Sequence, residues 1–378
     1  MINTNDFLAG LEKSGIHFVT GVPDSLLKQI CSCITSNYSD QQHVIASNEG
    51  SAVALAIGHY LSSGQPALVY MQNSGLGNTV NPITSLADPL VYAIPMLLMV
   101  GWRGEILQDG SQLKDEPQHR KQGKITLAQL DTLEIPFQII DDQTSDIEGL
   151  IKSLVEQAIE RSGPVALVVR KGTFSSYQLE LDAADPKLPG REEAIAAVLE
   201  NLPEDVPVVS TTGFASREVF ELRKHANSGH QRDFLTVGGM GHASQIAAGI
   251  AMNRADRQVI CIDGDGAALM HSGAFAINAD CPNLVHILIN NGVHDSVGGQ
   301  PTKGSVLNFA EIASHFGYPL TAQVSSIAEL KKQLQHMLGK TGPCLIEVKC
   351  KRGARKELGR PDRTPIENKN EFMNFLKS

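Results

Sequence analysis

The chain of 378 residues lacks the features that mark several common classes of protein. It contains no run of about 18 apolar residues, so no transmembrane helix is predicted. Its net charge is −9 with acids and bases interspersed, which argues against a nucleic-acid-binding protein because such proteins carry a basic face. Residues Met1–Asp6 lack the basic and then apolar order of a signal peptide. We therefore expect a cytoplasmic protein.

The six cysteines follow neither a disulfide pattern nor the spacing of a metal site. Cys31 and Cys33 form one close pair, but no second pair accompanies them. Cys261 lies in an apolar stretch, where a core position is expected. Scattered reduced thiols fit a cytoplasmic chain, because structural disulfides belong mainly to oxidising compartments.

Two nucleotide-binding fingerprints are also missing. The dinucleotide fingerprint fails at Gly239–Gly241, which is followed by Ser244, and at Gly75–Gly77, which is followed by Val80. A P-loop is absent because no lysine follows Gly304. These mismatches argue against a dinucleotide-dependent dehydrogenase and a P-loop nucleotidase.

The chain does contain a regular alternation of apolar strands and helices. Ala67–Met71 and Pro95–Val100 are predicted as strands, and the alanine-rich stretch Ser51–Leu61 as a helix. The pattern predicts an α/β fold with two similar domains, each a mostly parallel sheet flanked by helices. We place the first domain at 1–178, a linker rich in aspartate and proline at 179–191, and the second domain at 192–378.

Two segments are predicted to be irregular. Arg103–Lys124 is polar and is expected to be a solvated loop or a lid over the site. The tail after Gly353 is polar and is expected to be poorly ordered.

An internal repeat supports the two-domain prediction. A shift of 241 − 50 = 191 residues superimposes small and apolar positions, among them Gly50 on Gly241, Ala56 on Ala247, Leu68 on Val259 and Gly75 on Gly266. The same shift places Asp265 on Ser74 and Glu49 on Met240. Related strand ends therefore carry different side chains in the two domains, at the edge where open α/β sheets bind ligands.

The turn Gly264–Gly266 and the pair Asn290-Asn291 each follow an apolar strand. The glycines allow the backbone to approach a ligand closely. The 291 − 265 = 26 residues between Asp265 and Asn291 leave room for one helix (about 269–278) and one strand, which is a β-α-β crossover. Carboxylate and amide oxygens at one point suit Mg²⁺ held against a phosphate.

This pair of motifs resembles the signature of thiamine-diphosphate (ThDP) enzymes. The resemblance implies that Asp265, Asn291 and the carbonyl of Val293 bind Mg²⁺, and that Gly264, Gly266 and Ala267 contact the diphosphate. It also implies that Glu49 protonates the N1′ atom of the aminopyrimidine ring, that Met240 supports the bent cofactor, and that the Gly238 carbonyl accepts a hydrogen bond from it. For Glu49 the residue type alone equally allows a helix-capping role.

Longer stretches resemble the phosphonopyruvate decarboxylases and the related sulfopyruvate decarboxylases: Gly21–Lys28, Tyr70–Asn78, Asp115–His119 and His294–Gln300. The resemblance implies decarboxylation of 3-phosphonopyruvate to phosphonoacetaldehyde and CO₂ in phosphonate and antibiotic biosynthesis. It further implies a homodimer or higher homo-oligomer with active sites between subunits. The alternatives are sulfopyruvate or another small anionic 2-oxo acid as substrate, or a non-catalytic protein with this fold.

The residues leave the proton donor and the substrate contacts open. His294 and Asp295 follow the metal turn and are candidate catalytic acids. Candidate substrate residues are Asp24, Ser25 and Asn73, of which the first two are also candidate proton donors. The charge partners of a substrate anion are to be sought among the nearby bases Lys28, Arg103, Lys121 and Lys124.

Overall fold

The structure is a computed structural model that describes residues 1–181, 183–355 and 357–378. Asp182, which the sequence places in the linker, lies outside the described residues. The chain divides into two compact units, Met1–Leu181 and the remainder of the chain. In the part of the chain that the structure describes, no helix has the length and apolarity needed to cross a membrane.

The first unit contains one six-stranded sheet. Its strands are β1 (Val19–Gly21), β2 (His43–Ile45), β3 (Leu68–Gln72), β4 (Met96–Gly101), β5 (Phe137–Ile140) and β6 (Pro164–Val169). Its α-helices are α1 (Thr4–Lys13), α2 (Lys28–Asn37), α3 (Glu49–Ser63), α4 (Leu76–Pro82), α5 (Pro117–Thr132) and α6 (Ile147–Arg161). A 3₁₀ turn, Asn73–Gly75, joins β3 to α4.

The second unit contains the other six-stranded sheet. Its strands are β7 (Val208–Ser210), β8 (Asp233–Leu235), β9 (Val259–Gly264), β10 (Leu284–Asn290), β11 (Leu320–Val324) and β12 (Cys344–Lys349). Its α-helices are α7 (Arg191–Glu200), α8 (Phe214–His225), α9 (Ala243–Asn253), α10 (Asp265–Met270), α11 (Ala274–Asn278), α12 (Phe309–His315), α13 (Ile327–Met337) and α14 (Pro365–Lys377).

The two sheets have the same topology. The strand order is β2-β1-β3-β4-β6-β5 in the first unit and, read in the same sense, β8-β7-β9-β10-β12-β11 in the second. All of these strand pairs are parallel. The predicted α/β fold with two similar parallel sheets is confirmed, and the 191-residue repeat superimposes β3 on β9 and α3 on α9.

Strand β3 illustrates why such strands are apolar throughout. Leu68 and Tyr70 belong to the core under α1, α2 and α6, whereas Val69 and Met71 belong to the core under α3 and α4. Successive side chains point to opposite faces of a strand, and helices cover both faces here. The strand ends are therefore the part of each sheet that is free to carry polar chemistry.

The two segments predicted to be irregular each contain a helix: residues 103–116 are irregular as predicted, whereas 117–124 and 365–377 are helical. Residues 117–124 form the first half of helix α5, which Pro117 begins because proline fits the first turn of a helix. The tail forms α14, where Thr364 and Glu367 make a capping box. Phe372 is buried against Phe234, and burying such a side chain stabilises the tail by about 1.5–3 kcal/mol.

Candidate active site

Adjacent strands of the second sheet bring the two sequence motifs together. Strand β9 pairs with β10, and Gly264 lies opposite Ile289 in the register. The next residues along these strands are Asp265 and Asn290, followed by Gly266 and Asn291. Parallel pairing therefore places the acid turn and the asparagine pair at the same carboxyl edge, as their 26-residue spacing predicts.

Asp265 is buried at the first position of α10 and is 2% exposed. Thr302 donates a hydrogen bond to its Oδ2 atom. Burial raises the pKa of Asp265 to about 6, although the bond from Thr302 and backbone N–H groups lower it in part. Among the described residues no basic side chain forms an ion pair with Asp265, so its charge is left for a ligand to balance.

The two asparagines have different environments. Asn290 is buried, and its Nδ2 donates to the Glu347 carboxylate and to the Gly304 carbonyl, both at 2.7 Å. Asn291 instead lines a cleft beside Asp265, and its Nδ2 donates to Asp295 at 2.8 Å. Asn290 therefore holds the edge together, while Asn291 turns its Oδ1 atom away from Asp295.

His294 is packed against the acid turn. A methyl group added at Gly266 would lie 2.8 Å from the ring of His294, so the glycine is needed for the ring to fit there. Burial lowers the pKa of His294 to about 4, and the ring is neutral at pH 7. Its backbone is held by hydrogen bonds to Gln300 and Gly299.

Asp295 belongs to a buried ionic network that sequence reasoning missed. Arg191 donates to Asp295 at 2.8 Å and to both carboxylate oxygens of Glu218 at 2.8 and 2.9 Å. Arg191 begins α7 and lies 104 residues from Asp295 along the chain, so no local motif signals the contact. The network anchors the turn that carries Asn291.

An open cleft lies in front of these residues within the second unit. Met240, which follows β8, lines it, whereas Gly238 lies two residues earlier in the same loop and is partly exposed. Its walls include the backbone of the acid turn and polar side chains: Gly264, Gly266, Ala267, Thr211, Thr212 and Ser296. Backbone N–H groups and small polar side chains of this kind can contact a phosphate-bearing ligand.

The first sheet presents a different edge, at which Glu49 is the principal acid. Glu49 begins α3 just after β2, is 5% exposed, and accepts a hydrogen bond from Asn78 Nδ2 at 2.7 Å. Its carboxylate packs on Gly75, where an added methyl group would lie 2.6 Å from Oε1. Ser74, the counterpart of Asp265 in the repeat, is exposed and does not replace the missing acid.

The other candidate residues of the first sheet surround Arg103. Ser25 accepts a hydrogen bond from Arg103 Nη1 at 2.7 Å, and Asn73 bonds to the Arg103 backbone in both directions. Asp24 is fully buried and accepts from the backbone of Leu26 and Leu27. Burial raises the pKa of Asp24, although its hydrogen bonds and the charge of Arg103 lower it in part.

Two domain families match the chain in the order of its two units. Residues 3–129 match "Thiamine pyrophosphate enzyme, N-terminal TPP binding domain", and residues 211–348 match the C-terminal TPP binding domain of the same enzymes. Curated relatives align over the whole chain. The phosphonopyruvate decarboxylase of Streptomyces viridochromogenes is 35% identical over 100% of this chain and 95% of its own length. The chain belongs to the thiamine pyrophosphate enzyme family.

Other members of the family place this chain among its decarboxylases. The phosphonopyruvate decarboxylase of Streptomyces hygroscopicus is 33% identical over 99% of this chain and 94% of its own length. The sulfopyruvate decarboxylase of Methanosarcina acetivorans is 26% identical over 84% of this chain and 83% of its own length. The resemblance seen in the sequence is confirmed, and the chain is a thiamine pyrophosphate enzyme of the decarboxylase type.

The residues of the second unit fit the cofactor of this family. Asp265 is a buried carboxylate without a basic partner among the described residues, and Asn291, whose side-chain oxygen accepts a hydrogen bond from the Val293 N–H at 3.3 Å, lines the same cleft. Hard oxygen donors of this kind suit Mg²⁺ bound together with a diphosphate. The glycines on either side of Asp265 keep the turn narrow, and the N-terminus of α10 presents backbone N–H groups.

Proposed function

We propose that this enzyme converts 3-phosphonopyruvate to phosphonoacetaldehyde and CO₂, with thiamine diphosphate and Mg²⁺ as cofactors. The observation that carries the proposal is identity of 33–35% to two phosphonopyruvate decarboxylases over essentially the whole chain. The sulfopyruvate decarboxylase of Methanosarcina acetivorans is 26% identical over 84% of the chain, and separate sulfopyruvate decarboxylase subunits reach 33% and 35% only over 43% and 41% of it. Bound thiamine diphosphate supplies an electron sink for the electrons released when CO₂ leaves.

Asp265, Asn291 and the backbone carbonyl of Val293 are the proposed Mg²⁺ ligands. Two observations support them: Asp265 is buried with an elevated pKa, and Asn291 lines the same cleft. The family resemblance supplies Val293, which follows Asn291 by two residues. Gly264, Gly266 and Ala267 border the cleft and are the proposed diphosphate contacts.

Glu49 is the proposed acid that binds the aminopyrimidine ring. It is buried, and Asn78 holds one of its carboxylate oxygens. The other oxygen faces Gly75, which leaves space because it has no side chain. From its position a protonated Glu49 would donate to the ring and raise the basicity of the ring's amino group.

His294 is the better placed of the two proposed proton donors. Its neutral ring lies against Gly266 at the acid turn, so it can hold a proton near the metal without adding a charge. The carboxylate of Asp295 is already bound by Arg191, Asn291 and the backbone N–H of Gly353. We propose that the main role of Asp295 is to orient the Asn291 side chain.

The enzyme is proposed to be a homodimer or a larger homo-oligomer, with Glu49 and Asp265 contributed to one active site by different copies. An exposed apolar run in the first unit supports self-association: Leu90 is 96% exposed, Tyr92 65% and Val91 45%. Leu90→Asp should shift the assembly toward monomer in light scattering, whereas Leu61→Asp, on another exposed leucine, serves as the control. A wild-type monomer with full activity would contradict the proposal.

The substrate test uses purified enzyme with thiamine diphosphate and Mg²⁺. Phosphonopyruvate, sulfopyruvate and pyruvate are supplied in parallel, and the aldehyde is followed by coupled reduction. We expect kcat/KM to be highest for phosphonopyruvate. If sulfopyruvate is turned over faster than phosphonopyruvate, sulfopyruvate is the substrate. If none of the three compounds is turned over, the result favours a non-catalytic protein.

The proposed reaction belongs to phosphonate biosynthesis, including that of phosphonate antibiotics, because loss of CO₂ makes formation of the carbon–phosphorus bond effectively irreversible. We place it in the cytoplasm. The six free cysteines support this location, since all are buried and none is joined in a disulfide.

A further inference from the structure

Arg103 stands at the end of β4 with its backbone fixed on both sides. Asn73 Nδ2 donates to the Arg103 carbonyl at 2.9 Å, and Asn73 Oδ1 accepts from the Arg103 N–H at 3.3 Å. The same Asn73 amide also donates to Thr126 of α5. The sequence predicts Asn73 as a candidate for contact with substrate. In the structure its buried side chain makes hydrogen bonds to Arg103 and Thr126 instead, and these bonds hold Arg103 and α5 in place.

The guanidinium of Arg103 is held in one orientation. Its Nε and Nη2 donate to the two oxygens of Asp115 at 2.8 and 2.6 Å, and its Nη1 donates to Ser25 Oγ at 2.7 Å. Burial alone raises the pKa of Asp115, but the hydrogen bonds from Arg103 and His119 outweigh it and hold that pKa well below its usual range. Asp115 is therefore an ionised carboxylate that fixes the orientation of the positively charged Arg103 guanidinium.

Three neighbouring strands bring this group to the sheet edge that also carries Glu49. Ser25 follows β1, Gln72 ends β3 and Arg103 follows β4, and these strands are adjacent. Glu49 follows β2, three strand spacings from β4, which is about 14 Å along the edge. The separation leaves room on one edge for a cofactor ring and a three-carbon acid.

Asp24 makes hydrogen bonds to residues next to Ser25 and to Gln72. Its carboxyl accepts hydrogen bonds from Gln72 Nε2 at 2.5 Å and from the backbone of Leu26 at 3.0 Å. Asp24 is fully buried, whereas Ser25 and Arg103 are partly exposed. Asp24 is thus a positioning residue for the turn that carries Ser25.

We propose that Arg103 and Ser25 form the subsite for the phosphonate group of the substrate, an inference that rests on the proposed function. A guanidinium has five N–H groups, and Asp115 and Ser25 take three of those of Arg103, which leaves two for oxygens of a tetrahedral anion. The Ser25 hydroxyl can turn its own hydrogen toward a third oxygen. Lys28, Lys121 and Lys124 are exposed and have no comparable support.

The binding test uses 3-phosphonopropionate, which is the substrate framework without its keto oxygen. Calorimetry on the cofactor-loaded enzyme should show that Arg103→Gln weakens its binding by about 30-fold or more, which is the loss of a charge-assisted contact. Arg170→Gln is the matched control: the side chains of Arg103 and Arg170 are 19% and 18% exposed, and each pairs with a carboxylate. We expect the control to bind within about threefold of wild type.

The kinetic test compares phosphonopyruvate with pyruvate, which has no phosphonate. Arg103→Gln should lower kcat/KM about 100-fold for phosphonopyruvate and only slightly for pyruvate. Arg103→Lys should fall between, because it keeps the charge and loses the fork. Equal losses for both substrates, or wild-type enzyme that binds no 3-phosphonopropionate, would overturn the subsite. Wild-type enzyme that binds 3-phosphonopropionate but does not decarboxylate phosphonopyruvate would refute the proposed function and leave the subsite standing.

Discussion

Arg191 and Asp295 form a buried ion pair, with Nη1 and Oδ2 2.8 Å apart and side chains 8% and 12% exposed. The same Oδ2 atom accepts a hydrogen bond from Asn291 at 2.8 Å. The amide of Asn291 could otherwise rotate and present either its nitrogen or its oxygen to the cleft. The ion pair therefore holds the amide nitrogen on Asp295 and leaves the oxygen, which accepts from the Val293 N–H at 3.3 Å, as the atom for the proposed metal contact.

The first prediction concerns this chain of contacts. Asp295→Ala should weaken Mg²⁺ binding about 10–100-fold, as the loss of a group that orients a metal ligand does. Calorimetric titration of Mg²⁺ in the presence of thiamine diphosphate measures this. The control is Asp256→Ala, which removes a surface carboxylate that also pairs with arginines. A fall in kcat with unchanged Mg²⁺ affinity would instead identify Asp295 as a proton donor.

The second prediction concerns Asp265, the proposed metal ligand. Asp265→Ala should abolish Mg²⁺-dependent binding of thiamine diphosphate, since it removes the only acid in the proposed ligand set. Gly304→Ala should weaken that binding as well, because the new methyl group would lie 2.3 Å from Asp265 Oδ2. At Gly273 an added methyl group meets no atom within 4 Å, so Gly273→Ala is the control. Full activity of Asp265→Ala would refute the assignment.

A third prediction tests Glu49 without changing it. Gly75→Ala places a methyl group 2.6 Å from Glu49 Cγ and Oε1, which must displace the carboxylate. A displacement of about 1 Å at a catalytic group costs about 100-fold in rate, so we expect kcat to fall by that order. Gly77→Ala, where the methyl group meets no atom within 4 Å, should leave kcat unchanged.

Glu49→Ala completes that test. It should retain binding of the diphosphate half of the cofactor yet lose exchange of the thiazolium proton, which NMR follows in deuterated water. If proton exchange proceeds at the wild-type rate in Glu49→Ala, the role given to Glu49 is wrong.

The fourth prediction is a pH dependence of stability. Burial lowers the pKa of His43 from 6.5 to about 4, although Asp40 raises it in part, and its ring bonds to Tyr70 Oη at 2.9 Å. Between pH 6.5 and pH 4, His43 is protonated in the unfolded chain and neutral in the folded protein. The contribution of His43 to the free energy of unfolding is therefore complete above pH 6.5 and decreases as the pH falls toward 4. The loss is at most about 1.4 kcal/mol per pH unit.

Thermal unfolding at pH 7.5 and pH 5 measures this loss. His43→Gln keeps a polar partner for Tyr70 but does not titrate, so its midpoint should fall less between the two pH values than that of wild type. His17→Gln, at an exposed histidine of the same unit, should behave as wild type does. An equally large fall in His43→Gln would show that other groups are responsible.

The local sequence is sufficient to predict the positions of the buried strands. The strands are apolar throughout because helices cover both of their faces, so β3 and β4 could be placed within a residue or so. Polar composition predicts irregular structure where α5 and α14 lie, yet both segments are helical. A surface helix buries only one stripe of apolar side chains, so most of its residues can be polar. The starts of these two helices are marked in the sequence by Pro117 and by the N-cap residue Thr364.

The sequence by itself determined that the turns at Asp265 and Asn291 share one edge, because each follows a strand and the carboxyl ends of parallel strands lie at the same edge of a sheet. The role proposed for Glu49 depends on the family resemblance as well, since its residue type alone also allows helix capping. Tertiary structure alone decided the roles of Arg191 and Arg103, since their partners Asp295 and Ser25 lie 104 and 78 residues away. An ion pair between distant residues has no sequence period, and it exists only once the strands that carry it are side by side.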